Sequence, residues 1–232
     1  MVRTHLRALL LLSSISLVPQ KGAAAGGSAP KRARSSAATK AAATNAASAN
    51  AVDGPGYTVD GLLKYPADYR EWVYLTSGLD MSYEANAQPA GHSMFDNVFV
   101  NPAAYRVFVR TGTWPEGTML VIENRGAEGS RSINTRGQTQ SQEVMGTEVH
   151  VKDSAHVKGG WGFYGFDGKT SAKLIERPAS CYTCHEQHGA VDTTFVQFYP
   201  TLFGLATEKG TLSKEYLKEM AAPAAAPAAN AK

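Results

Sequence analysis

The sequence predicts an α+β fold, mainly an antiparallel β-sheet with a few packed helices, on three observations. Short stretches rich in aromatic and β-branched residues follow one another through turns marked by Pro, Gly and Asp. Strands that are neighbours in sequence and joined by short connections pair antiparallel. Helix-start signals stand at Asn101-Pro102 and at Asp192, where a short polar side chain can accept from exposed backbone amides. The residues able to build a core are confined to about 57–207 of the 232 residues, enough for one domain.

Taken in order, Tyr57 to Ala67 reads as an entry segment ending in a turn at Pro66. Arg70 to Thr76 reads as a strand, with Trp72 and Tyr74 on one side and Val73 and Leu75 on the other. The next twenty residues or so, through Gly78, Pro89 and Gly91, read as loop. Asn97 to Val100 is a short strand. Asn101 then caps a helix that Pro102 opens and that stops near Gly112. Pro115-Glu116-Gly117 makes a turn into the strand Thr118 to Glu123, and Gly126 to Gly137 is a polar loop. Within or beside that loop, Arg125, Arg131 and Arg136 read as solvated, with pairing to a propionate the alternative. Glu148 to Lys152 alternates as a half-buried strand does. Gly160 to Phe166 is an aromatic strand, and the Asp167-Gly168 turn makes it a hairpin with Ala172 to Glu176. Asp192 is expected to cap a last helix carrying Phe195, Phe198, Tyr199 and Leu202.

The ends read differently. Residues 1–25 look like a signal peptide: Arg3 and Arg7, an apolar run from Ala8 to Val18, then Ala23-Ala24-Ala25. That run is too short to span a bilayer, so the expectation is an exported, periplasmic protein with no membrane span. Residues 26–55 are an Ala/Ser-rich spacer without the apolar side chains that offset ordering entropy. Residues 56–210 form the domain, and 211–232 a tail with a disordered Ala/Pro-rich end. The net charge of +3 is misleading as a guide to the domain. Seven of the 23 Lys and Arg lie in residues 1–50, which hold no acid, so residues 51–232 carry 16 bases against 20 acids. A mildly acidic domain gives no support for nucleic-acid binding.

The chemistry concentrates in Cys181-Tyr182-Thr183-Cys184-His185, which holds both cysteines of the chain. Two thiols one helical turn apart can each add to a vinyl group of one porphyrin, and the next residue sets an imidazole beneath the iron. That is the attachment signature of a c-type haem, so one of the packed helices is expected to carry heme c, one per chain, with His185 as iron ligand. A disulfide would close a very small loop and leave His185 unexplained. A thioredoxin-like pair belongs after an early strand. A zinc site from both thiols, His185 and His188 lacks the second cysteine pair such sites recruit.

Several stretches carry a family resemblance. Arg70-Glu71-Trp72-Val73-Tyr74-Leu75, Val98-Phe99-Val100-Asn101-Pro102 and Thr111-Gly112-Thr113-Trp114-Pro115-Glu116-Gly117-Thr118 resemble the cytochrome P-460 family. So do Gly160-Trp161-Gly162-Phe163-Tyr164, the Cys-x-x-Cys-His motif and Gln197-Phe198-Tyr199-Pro200, in the same order and spacing. The resemblance implies an antiparallel sheet, a homodimer, a c-type haem, and His185 as sole protein ligand with the opposite face open. Some members oxidise hydroxylamine and link the porphyrin to a lysine. Others, the cytochromes c′-β, lack that link and bind nitric oxide or carbon monoxide in an apolar distal pocket.

This chain departs from the catalytic branch at two positions. Ile122 stands where the resemblance puts the linking lysine, and no lysine occurs between Lys64 and Lys152. Ser180 stands where catalytic members favour a carboxylate before the first cysteine. Glu123 adjoins Ile122, but strand neighbours point to opposite faces. An apolar distal wall from Phe95, Phe99, Ile122 or Trp161 is therefore expected, admitting small neutral diatomics. Three functions stay open: nitric oxide capture or sensing, oxidation of hydroxylamine or peroxide, and electron transfer to a partner protein with six-coordinate iron. The last needs a sixth ligand, for which His92, His150, His156, His188, Met81, Met94, Met119 and Met145 are the candidates.

Overall fold

The computed structural model describes residues 53–83 and 92–222. The expected signal segment, nearly all of the spacer and the end of the tail lie outside the described residues. The strands are β1 (Leu63–Lys64), β2 (Val73–Leu79), β3 (Met94–Val100), β4 (Met119–Gly129), β5 (Gln138–Lys152), β6 (Trp161–Gly165) and β7 (Ser171–Ala172). The helices are α1 (Pro102–Thr111), α2 (Ser180–His188), α3 (Pro200–Glu208) and α4 (Lys214–Ala221). Strands β2 to β6 make one sheet in sequence order, every pair antiparallel. The fold is the α+β arrangement expected of the sequence. No described helix is long and apolar enough to cross a membrane.

Side-chain alternation divides the sheet into two faces, each with its own core. Val98, Val100 and Leu120 point to the helical side, where they join Phe108, Trp114, Val191, Leu202 and Tyr216. Met119, Val121, Val149 and Val151 point the other way, against Leu63, Tyr69, Phe166 and Ala172. The small β1–β7 ladder and the turn of 3-10 helix at Tyr69–Glu71 cover that second face.

Helix α1 ends as expected: Gly112 takes a left-handed conformation (φ 76°) and its N–H returns to the Phe108 carbonyl. Its start differs. Asn101 does not cap the helix; the Asp53 carboxylate accepts from the Ala103 N–H instead. Asn101, 1% exposed, donates to the Asp53 and Gly117 carbonyls and accepts from the Met119 N–H. It ties three chain segments together, and the end of the presumed spacer is part of the fold.

Four other expectations need correction. Strand β3 begins at Met94, and β4 and β5 run well into the supposed loop, leaving only residues 130–137 to connect them. Their register slips near Asn124 and Arg125, and such bulges let a polar hairpin twist away from the core. The Asp167-Gly168 turn has both residues at positive φ (40° and 74°). The chain after it nevertheless pairs with β1 and keeps only a single bridge, Tyr164 to Leu174, to β6. Asp192 caps nothing: it sits at φ 53° and pairs with Lys152, while α3 starts at Pro200. The folded part also continues past 210. Ser213 caps α4 by accepting from the Tyr216 N–H, and Tyr216 enters the first core.

Candidate functional site

Helix α2 lies across the helical face of the sheet and holds Cys181, Cys184 and His185 at positions one turn apart, which places them on a common side. Both thiols are free and half-buried. Gly189 ends the helix, and a Cβ there would stand 2.7 Å from the His185 carbonyl oxygen and 2.8 Å from the Thr194 nitrogen. Only glycine lets residues 193–194 approach that closely. Gln197 fastens the same turn, donating to the His188 carbonyl and accepting from the Ala190 N–H. Trp114 Nε1 donates to Thr194 Oγ1 from the other side at 2.8 Å. These contacts give the Gln-Phe-Tyr-Pro and Thr-Trp-Pro stretches their mechanical role.

His185 is oriented by one hydrogen bond. Its Nδ1 lies 2.7 Å from the Thr193 carbonyl, and because a carbonyl only accepts, Nδ1 carries the proton. Nε2 therefore keeps a free lone pair. The ring packs against Phe195 (centroids 4.1 Å), Phe163 (4.7 Å) and His150 (5.0 Å). Burial lowers its pKa, with the Thr193 bond acting partly against this, so the imidazole is neutral and competent to bind a metal.

A cavity of about 280 Å³ opens between α2 and the sheet. Alternate residues of each strand line it: Thr76 and Gly78 of β2, Met94, Asp96 and Val98 of β3, and Leu120, Ile122 and Asn124 of β4. Glu148 and His150 of β5 and Phe163 of β6 complete that wall, facing Cys181 and His185 of α2. Tyr83, Phe195 and Phe198 pack together at one side (Tyr83 tilted on Phe195 at 5.4 Å, Phe195 edge-on to Phe198 at 6.1 Å). Ile122 thus faces the cavity. Phe95 and Phe99 do not, because they alternate with Met94, Asp96 and Val98 and lie on the opposite face, where Phe99 packs against the second core. There Phe99 meets Tyr69 edge-on at 5.5 Å. Trp161 stands behind the wall, in the first core, with its ring 4.4 Å from that of His150. All four were expected from their positions on strands, and the strand parity of the structure brings only Ile122 to the cavity.

The same parity sorts the proposed sixth ligands. Met81, Met94 and His150 line the cavity. Met119 is buried in the second core and Met145 is exposed. His156 pairs with Asp153 and His188 with Glu219, both away from the cavity; His92 is exposed. Among the described residues no three of His, Cys, Asp and Glu cluster as a metal site. Glu123 points to the opposite face, where Tyr69, Arg70 and Arg125 surround it. Arg125 and Arg131 are committed to Glu123 and Glu128, not to the cavity.

Residue type alone missed the polar members of the wall. Asp96 accepts from Asn124 Nδ2 at 2.7 Å, and burial, opposed by that bond, raises its carboxyl above the ordinary range. Glu148 is an exposed residue of β5 whose carboxyl is nevertheless raised by partial desolvation and then by the charges of Asp96 and Asp167. His150, 4% exposed, is held neutral by burial and by the neighbouring His185, and its Nε2 has no partner. An i, i+2 reading of Glu148-Val149-His150 would have put both polar groups on one face, but the strand register was needed to say which face.

The largely apolar cavity, the two thiols beside it and the free Nε2 of His185 together fit a covalently attached haem. In the same wall the buried His150 Nε2 has no partner among the described residues, which leaves a polar atom for a bound group to meet. Residues 66–196, more than half of the chain, match the family model described as Cytochrome P460. That stretch contains β2 to β6 and the whole of α2. No curated protein matches the chain.

Proposed function

The chain belongs to the cytochrome P460 family, which implies a covalently bound haem, and on that premise we propose an exported mono-haem c-type cytochrome that binds a small ligand such as nitric oxide. Cys181 and Cys184 would hold one heme c through thioether bonds, and His185 Nε2 would be the nitrogen that binds its iron. Haem iron held by a single imidazole supplies one open coordination position for a small molecule. The Thr193 carbonyl fixes the orientation and tautomer of His185. Phe163 and Phe195 hold the His185 ring between them, and Val98, Leu120 and Ile122 give the cavity its apolar side.

The observation that carries this reading is His185, with Nδ1 satisfied and Nε2 free, on the same helix side as both thiols and facing a cavity. Ile122 within the wall and Ser180 at the helix start favour ligand binding over hydroxylamine oxidation by a lysine-linked haem. Adding nitric oxide to the reduced holoprotein tests it: the absorption spectrum should change to that of a nitrosyl adduct. Low-spin, six-coordinate iron in both redox states, indifferent to nitric oxide, would overturn it. That result would favour the second reading, an electron carrier, for which Met81 and Met94 are in the cavity to serve as ligand. Export to the periplasm is supported by the composition of residues 1–25 and is checked by N-terminal sequencing of the mature protein. The homodimer expected of the family is checked by light scattering.

A further inference from the structure

Where the cavity wall meets His185 stands His150, 4% exposed and stacked on Phe163 of the neighbouring strand (centroids 4.0 Å, planes 11° apart). The His185 ring is nearly equidistant from the two, at 5.0 Å and 4.7 Å, and steeply inclined to both, at 77° and 67°. It therefore meets the shared edge of a stacked pair, not the face of either ring. Two apolar rings would make that pair equally well, so a histidine in it calls for a reason. Its Nε2 is buried without a partner among the described residues, an unfavourable state for a polar atom. Phe163 and Trp161 pack on the ring itself, at 4.0 Å and 4.4 Å, and beyond them the ring lines the cavity.

The acids of the wall stand elsewhere. Glu148 lies two residues along β5, a rise of about 7 Å, and Asp96, level with Asn124 and Gly146, lies four residues along, about 13 Å. A carboxylate entering the cavity finds acids at that end and a nitrogen at the His150 end.

We propose that His150 is a positioning residue for the haem, its Nε2 proton donated to one of the carboxylate side groups that a haem carries. A carboxylate only accepts, so the neutral ring holds its proton on Nε2. The inference rests on the haem reading above and adds a second point of attachment to it. The thioether bonds hold the vinyl-bearing side of the group and this hydrogen bond a carboxylate-bearing one, while the edge of the same ring limits rotation of His185.

Resonance Raman spectroscopy of the reduced holoprotein tests this, because the bending band of a haem carboxylate side group moves to lower frequency when a hydrogen bond to it is lost. H150F keeps the ring stack and removes the nitrogen, and the band should move down. H150Q returns an N–H donor and should restore most of the shift. An unchanged band in H150F, or equal shifts in H150F and H150Q, would overturn the proposal. If neither variant matures, NMR of the diamagnetic carbonyl adduct of the wild type, with 15N-labelled histidine, decides it. A slowly exchanging His150 Nε2 proton close to the methylene protons of a carboxylate side group is expected, and its absence would overturn the proposal equally. A wild-type chain that carries no added haem mass would instead sink the haem reading, and this proposal with it.

Discussion

Replacing Glu123 by Gln probes the clamp that holds the cavity wall from behind. Glu123 lies in β4 between Ile122 and Asn124, whose side chains face the cavity, while its own carboxylate is only 3% exposed on the opposite face. There it accepts from Tyr69 Oη, Arg70, Arg125 Nε and Asn97 Nδ2. Burial alone would raise its pKa. The hydrogen bonds from Arg125 and Tyr69 and the two guanidinium charges outweigh that and hold it at about 2, against an ordinary 4.5. A tenfold change in proton affinity corresponds to about 1.4 kcal/mol, so the ionised form stabilises the fold by about 3 kcal/mol. For a folded domain of this size, that loss lowers Tm by roughly 6–12 °C. The sign follows from the depressed value: the contribution is complete above about 4.5 and disappears as pH falls toward about 2. Calorimetry of wild type and E123Q should therefore show a large gap at neutral pH that closes in acid. A gap of the same size at every pH, or none at neutral pH, would refute the electrostatic reasoning.

Gly189→Ala would drive a methyl group into the backbone of His185 and residues 193–194, at a cost of about 1–3 kcal/mol. It should also alter the absorption spectrum of the reduced holoprotein, because the Thr193 carbonyl that orients His185 must move. Asn101→Ala removes three hydrogen bonds that join Asp53, Gly117 and Met119. At about 1 kcal/mol each, it should cost about 3 kcal/mol in urea unfolding while leaving the haem spectrum unchanged.

Much of this organisation was legible in the residues because it is local. The Cys181 to His185 spacing and the Pro102–Thr111 helix each depend on a few adjacent side chains, and the helix lies where it was expected. What the chain hides is non-local. Asn101 has the residue type of a cap, but the approach of Asp53 from a low-complexity stretch gives the cap to that carboxylate. Phe95 and Phe99 are bulky apolar residues of their strand, yet the pleat turns both to the face away from the cavity and leaves Asp96 in it. Strands β4 and β5 extend through polar, Gly-containing sequence because they pair with each other, a support that neither stretch shows alone. Tyr216 is one aromatic residue in a charged helix, and only the core it enters explains why that helix docks.

The central claim is that a haem is bonded covalently to Cys181 and Cys184, with His185 beneath the iron. Mass spectrometry of protein matured with competent export and haem-attachment machinery measures this directly. The account predicts the mass of the mature chain plus one haem, resistant to acid extraction, and loss of that added mass in the Cys181→Ala, Cys184→Ala double variant. A wild-type mass without haem, with both sulfhydryls free to alkylation, would contradict it.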